Sequence, residues 1–168
     1  MLNDVFAGRE DPTLLQLAGE RELPIALMHM QGEPGTMQRD PRYDDVVGEV
    51  RAFLLQRAAA AEQAGVSSDR IVLDPGIGFG KTLEHNLTLL NHLGTFVQTR
   101  YPLLLGVSRK GFIGKVSPRT SQTPVDRVGG TCAVSVLAVQ AGVSILRVHD
   151  VEPNRQAVDV AEAIAKAE

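Results

Sequence analysis

At 168 residues, 43% of them hydrophobic and only 4% aromatic, the chain suits one globular domain with a sizeable core. A net charge of -3 and a pI of about 5.8 leave no basic surface for nucleic acid, and no apolar run approaches the roughly 20 residues that would span a bilayer. One cysteine excludes a disulfide framework, and without a basic, apolar leader at the N-terminus a reducing cytoplasm is the expected location.

In chain order, apolar runs alternate with amphipathic segments. Leu2-Asn3-Asp4-Val5 comes first, followed by a short helix over Pro12 to Gly19. Ile25-Ala26-Leu27-Met28 runs into His29-Met30-Gln31-Gly32. The clearest helix spans Tyr43 to Ala64, with Val46, Val47, Val50, Phe53, Leu54, Ala58 and Ala61 on one stripe between Pro41 and Gly65. Ile71-Val72-Leu73 delivers Asp74 to a glycine-rich loop, and Leu83, Leu87, Leu90 and Leu93 mark a helix with Thr82 as its N-cap. Leu103-Leu104-Leu105-Gly106-Val107 leads to Ser108-Arg109-Lys110, and 116–124 is predicted as a surface loop. A helix over Val125 to Ala141 ends at Gly142, Ile145-Leu146-Arg147-Val148 runs into His149-Asp150, and Pro153 to Lys166 forms the last helix.

Strands apolar on both faces and separated by amphipathic helices imply parallel strands joined by right-handed crossovers. The expected class is α/β, in a single domain over residues 1–168. An open doubly wound sheet and part of a closed (β/α)₈ barrel both fit, and both place ligands at the carboxyl ends of strands.

The segment Asp74-Pro75-Gly76-Ile77-Gly78-Phe79-Gly80-Lys81 is the most informative. Its plain reading is a strand-to-helix connector with a solvated lysine. Polar groups at the other strand ends favour a pocket instead, with alternate glycines letting the backbone approach a flat or anionic ligand. A phosphate-binding P-loop misses by one residue: it needs four between its first glycine and Gly-Lys-Thr, and only three separate Gly76 from Gly80. Pro75 stands where the first glycine would, without an N-H for phosphate, so an NTPase is a minor alternative. Cys132, among small residues, reads as a buried structural thiol, and His29 as a satisfied core histidine without a catalytic role.

Five strings in order, LNDV, LMHMQG, LDPGIGFGK, GVSRKGFIG and RVHDV, give the chain a resemblance to dihydropteroate synthase over essentially its whole length. The resemblance implies a TIM barrel and the reaction in which 4-aminobenzoate displaces diphosphate from 6-hydroxymethyl-7,8-dihydropterin diphosphate to give 7,8-dihydropteroate. It makes Asp74 the pterin-binding aspartate, and an ionised carboxylate can accept two N-H bonds from an aminopyrimidinone edge. Asn3 would meet the same heterocycle, and Lys110 would donate to the pterin carbonyl or ring nitrogen. Gly78 and Gly106 would permit close backbone approach, with Met28 and Phe79 supplying apolar surface. Arg147 and His149 resemble the diphosphate site, and Lys110, Arg147 and His149 carry the catalytic roles. Lys110 and Gly111, the latter opening a helix, lie on the 4-aminobenzoate side. Ser108 and Arg109 would hold the adjoining loop, and Asp150 would orient a neighbour or cap the last helix.

The resemblance begins near the family's fourth strand. The expectation is therefore a partial TIM (β/α)₈ barrel of about five of the eight strand-helix units, N-terminally incomplete and inactive or weak alone. The family's magnesium-diphosphate asparagine and third-strand pterin aspartate have no counterpart here, so Mg2+ is implied but no metal ligand is assigned. The family's homodimer is the expected assembly. A non-catalytic pterin-binding module that completes a barrel by oligomerising is the alternative.

Overall fold

A computed structural model describes residues 1–119 and 123–167. The first strand, β1 (Leu2–Asp4), is followed by helix α1 (Thr13–Glu20), then by β2 (Ile25–Met28) and the long helix α2 (Val46–Gln63). β3 (Ile71–Asp74) leads to α3 (Leu83–Asn91) and a short α4 (Leu93–Val97). β4 (Leu104–Leu105), α5 (Gly111–Val116), α6 (Val128–Gln140), β5 (Ile145–Leu146) and α7 (Val151–Ala165) complete the order. The 116–124 stretch predicted as a loop falls partly outside the described residues, at 120–122, and α5 reaches its first residue, Val116.

All strand pairings are parallel and follow chain order. β1 pairs β2 and β2 pairs β3, with Met28 level with Asp74. Leu73 bridges Leu103, and Leu104 and Leu105 pair Ile145 and Leu146. Period-two alternation then sorts the side chains. Ile25, Leu27, Ile71, Leu73, Leu103 and Leu105 join the main core under the helices. Ala26, Val72, Leu104 and Ile145 form a small cluster on the opposite face. Two residues further along each strand, that second face carries Met28, Asp74, Gly106 and Arg147 at the carboxyl ends.

Local chemistry moves several predicted boundaries. α2 starts at Val46 rather than Tyr43 because Asp45, at φ -136, is extended and accepts the Gly48 N-H at 3.0 Å. Val46, Val50, Leu54, Ala58 and Ala61 of the predicted stripe are buried, while Val47 and Phe53 are half-buried. Thr82 caps α3 as expected, accepting from His85 N-H at 3.1 Å, but Leu93 falls in α4 because the chain breaks at His92. A 3-10 turn over Val125–Arg127 precedes α6. α7 begins at Val151, with Pro153 in its first turn, where a missing N-H costs little. β4 and β5 are shorter than their apolar runs: β5 has a strand partner on one side only among the described residues, and both its residues are half-buried. Cys132 is half-exposed rather than buried; partial burial and then the Asp150 charge hold its thiol above the ordinary range, leaving it an unactivated thiol.

Candidate active site

The apolar run of β3 ends by burying a carboxylate. Asp74 is 1% exposed; one oxygen accepts the Gly76 N-H at 2.8 Å and the other accepts Arg147 Nη2 at 2.9 Å. Burial raises the carboxyl above its usual range, while the Gly76 N-H and the charges of Arg147 and Lys110 pull it back. Arg147 also donates through Nη1 to Asn3 Oδ1, so its guanidinium joins the two groups assigned to the pterin edge. Gly106 makes this path possible: a Cβ there would lie 2.6 Å from Arg147 Nη2.

Lys110, just before α5, reaches back over the β3 loop. Its ammonium donates to the Ile77 carbonyl and stands 4.5 Å from the Phe79 ring centroid. Burial, opposed by Asp74 and reinforced by Arg147, brings this amine down to about 8. Gly78, at φ +84, leaves room for its stem, since a Cβ would meet Lys110 Cδ at 3.2 Å. Met28, 2% exposed, adds apolar surface at the level of Asp74.

His149 is exposed and stands apart from this cluster. Its backbone N-H reaches Ser108 Oγ at 3.1 Å and its Nδ1 lies 2.9 Å from the same oxygen. A hydroxyl that accepts the N-H can give its own proton to Nδ1, which leaves Nε2-H as an outward donor. Next to it, Arg109 grips Asp150 through Nε at 2.9 Å and Nη2 at 2.5 Å, and its backbone N-H meets Thr131 Oγ1 at 3.1 Å. These contacts staple the loop after β4 to the loop after β5. Asp150 thus orients a neighbour, and its side chain makes no cap bond to α7. Gly111 opens α5 and is exposed.

The structure therefore brings Asn3, Met28, Asp74, Gly78, Phe79, Gly106, Lys110 and Arg147 to one mouth. It does not join Arg147 to His149: Arg147 turns inward to Asp74 while His149 rests on Ser108. The P-loop alternative is overturned. Lys81 is 3% exposed and binds its own loop's Gly76 and Phe79 carbonyls at 3.0 Å each, whereas a phosphate cradle offers N-H groups and an outward lysine. Lys81 is not the solvated lysine of the plain reading, whereas His29 is a satisfied core histidine as expected: it is buried, and its Nδ1 lies 2.9 Å from Lys81 Nζ. The only sequence cue was that a lysine closing a glycine loop must find acceptors somewhere, and the loop carbonyls are nearest.

Residues 1–149 match the family model described as pterin binding enzyme. The chain is 44% identical to dihydropteroate synthase of Escherichia coli K12 over 99% of its own length and 58% of that protein. The structure of dihydropteroate synthase from Stenotrophomonas maltophilia with active site-bound imidazole superposes with a TM-score of 0.92 at 43% identity, covering 99% of this chain and 62% of that one. Dihydropteroate synthase from Xanthomonas albilineans in complex with 7,8-dihydropteroate gives a TM-score of 0.89 at 41% identity, with 99% and 59% covered. The chain spans 58% of the curated E. coli relative's length. With most of its residues inside the family model, the chain belongs to the pterin binding enzymes.

Proposed function

We propose that this chain carries the pterin and leaving-group side of a dihydropteroate synthase active site. The single observation that carries this reading is the buried Asp74 carboxylate at the carboxyl end of β3, with Asn3, Arg147 and Lys110 converging on it. Likeness to synthases, one of them holding 7,8-dihydropteroate, supports an enzyme over a non-catalytic module.

In the proposed reaction, Asp74 accepts two N-H bonds from the aminopyrimidinone edge and Lys110 donates to its carbonyl. Phe79 and Met28 give the ring apolar walls. Arg147 is shared between Asp74 and the diphosphate, and His149 adds its Nε2-H to the departing anion. The amine of 4-aminobenzoate, entering beside Lys110 and Gly111, forms the C-N bond as the C-O bond breaks. Diphosphate leaves with the electron pair, and the amine's proton goes to solvent. No covalent enzyme intermediate is required.

The family implies magnesium on the diphosphate. No three His, Cys, Asp or Glu side chains cluster among the described residues, and both Asp4 oxygens are taken, by the N-H groups of Phe6 and Gly8. These residues do not fit a metal site, so no step is routed through one.

In the same proposal the strands are about five of eight units of a closed barrel. Sequential parallel neighbours without an order reversal support this over a doubly wound sheet, which needs a switch point. For the homodimer, an apolar groove of about 550 Å³ between α3, α5 and α6, lined by Leu90, Phe112, Val134 and Leu137, is a suitable face; sedimentation would read it as a dimer. No helix among the described residues is long and apolar enough to cross a membrane.

The test is a fluorescence titration of 6-hydroxymethylpterin into the 168-residue protein and into Asp74→Asn. Loss of roughly ten- to hundred-fold in affinity is expected, since one acceptor of a charged hydrogen-bond pair becomes a donor. Equal affinity would remove Asp74 from the pterin site.

A further inference from the structure

The glycine loop after β3 holds a second cation that the proposed reaction does not use. Lys81 is nearly buried, yet each of its three ammonium hydrogens has an acceptor: the Gly76 and Phe79 carbonyls at 3.0 Å and His29 Nδ1 at 2.9 Å. An ammonium group has three donors and no acceptor, so this shell matches it fully. His29 Nδ1 is then the unprotonated nitrogen. Burial, followed by the charges of Lys81 and Arg9, pushes this imidazole down to about 3, which keeps it a neutral acceptor near pH 7.

The shell around the lysine is itself fixed. The His29 ring meets the Phe53 ring edge-on at 4.9 Å between centroids, and the Tyr43 hydroxyl donates to the Gly80 carbonyl at 2.8 Å. Asn86 Oδ1 accepts the Gly78 N-H at 2.6 Å, and its amide donates to the Thr82 carbonyl at 2.6 Å. Within this frame Lys81 ties down the carbonyl of the same Gly76 whose N-H grips Asp74.

We propose that Lys81 is a positioning residue for Asp74: its ammonium clamps the Gly76 and Phe79 carbonyls so that the loop presents the Asp74 carboxylate to a pterin edge. The inference rests on the pterin reading of the site. It requires a compact cation with three convergent donors. Methionine keeps the stem and loses the clamp, and the planar fork of arginine cannot converge on three acceptors.

The third contact of the clamp, to His29, depends on charge. The groups facing Lys81 are His29 with the Arg9 charge behind it, Asp74 on β3, and Lys110 ahead of α5. Burial, opposed by Asp74 and aided by Lys110, brings Lys81 down to about 7. The full ammonium therefore prevails below about 7, and a neutral amine with two N-H donors above it.

Two measurements on the whole chain test the proposal. The first needs no ligand: amide exchange in wild type and Lys81→Met. Gly76 and Phe79 amides are expected to exchange at least about tenfold faster in the variant, with α2 amides unchanged; unaltered Gly76 exchange would overturn the clamp. If the variant does not fold, the Nζ resonance of Lys81 in wild type decides: ammonium protons protected from exchange and coupled to the Gly76 and Phe79 carbonyls are expected at pH 6, and protons exchanging as freely as those of the exposed Lys166 would overturn the clamp. The second is 6-hydroxymethylpterin affinity at pH 6, where the ammonium form of Lys81 prevails. The wild-type to Lys81→Met ratio should be at least about tenfold at pH 6, with Lys81→Arg failing to restore binding. Lys81→Arg keeps the positive charge beside Asp74 and Lys110, so its failure separates the clamp from the field at Asp74. A ratio near one at pH 6, or full recovery in Lys81→Arg, would leave Lys81 a general structural part and sink the proposal. If wild type binds no pterin, the pterin reading falls, and Gly76 exchange still decides the clamp.

Discussion

The loop after β3 and the loops after β4 and β5 face the same mouth but are built differently. β3 is buried at all four residues, pairs β2 along its length and bridges Leu103 on its other side. Its loop is bonded internally through Lys81, Asn86 and Tyr43. β4 and β5 contribute two residues each, and the groups beyond them are held by part-buried side-chain pairs, Ser108 with His149 and Arg109 with Asp150. The side that would read a rigid heterocycle is preorganised by burial. The side that would hold a departing anion relies on a few part-buried polar staples between the loops of two short strands.

The sharpest way to break this contrast is to loosen the packing behind β3. Leu54 is fully buried on α2, and Leu54→Ala should cost about 2–5 kcal/mol in denaturant unfolding. Leu137, 61% exposed on α6, should cost under about 0.5 kcal/mol when changed to alanine, provided the chain is measured as a monomer. Comparable losses at both sites would remove the distinction.

Next comes the pH dependence of the buried side. His29 titrates at about 3 in the folded chain against an ordinary 6.5, so the unfolded chain takes up the proton first. Its stabilising contribution is complete above about 6.5 and is lost as pH falls towards 3, with a slope of up to about 1.4 kcal/mol per pH unit. His29→Asn should flatten that part of the stability curve, as read by urea midpoints between pH 6.5 and 4. An unchanged slope would place the titrating group elsewhere.

The smallest effect falls on the Ser108 staple. Ser108→Ala removes the partner of His149 and should cost about 0.5–1.5 kcal/mol of stability. By calorimetry it should also weaken inorganic diphosphate binding several-fold while leaving pterin affinity intact. Parallel loss of both ligands would mean that the two halves are mechanically coupled rather than separately built.

Much of this molecule was legible in its sequence for physical reasons. The α2 stripe, the Thr82 cap and the run ending in Asp74 are local patterns of period and capping, and the structure keeps them. The breaks were less legible. α2 starts three residues inside the predicted start because the Asp45 cap bond outweighs apolar periodicity. β4 and β5 shrink because strand length depends on partners that no local pattern encodes. The Asp74, Asn3 and Arg147 contacts were only partly visible: each residue stood out at a strand end, but the turn of Arg147 towards Asp74, away from His149, follows from Gly106 lacking a side chain. Lys81 was missed because a buried lysine looks like a surface one until its acceptors, contributed by main chain and by His29 fifty-two positions away, are assembled.

The most direct measurement is the ¹³Cγ resonance of Asp74 as 6-hydroxymethylpterin is added, with Asp159, exposed on α7, and Asp69, exposed in the 3-10 turn Ser68–Arg70 ahead of β3, as internal references. The account predicts that the Asp74 signal shifts in proportion to saturation while the references stay in place. A stationary Asp74 signal at saturating pterin would contradict it.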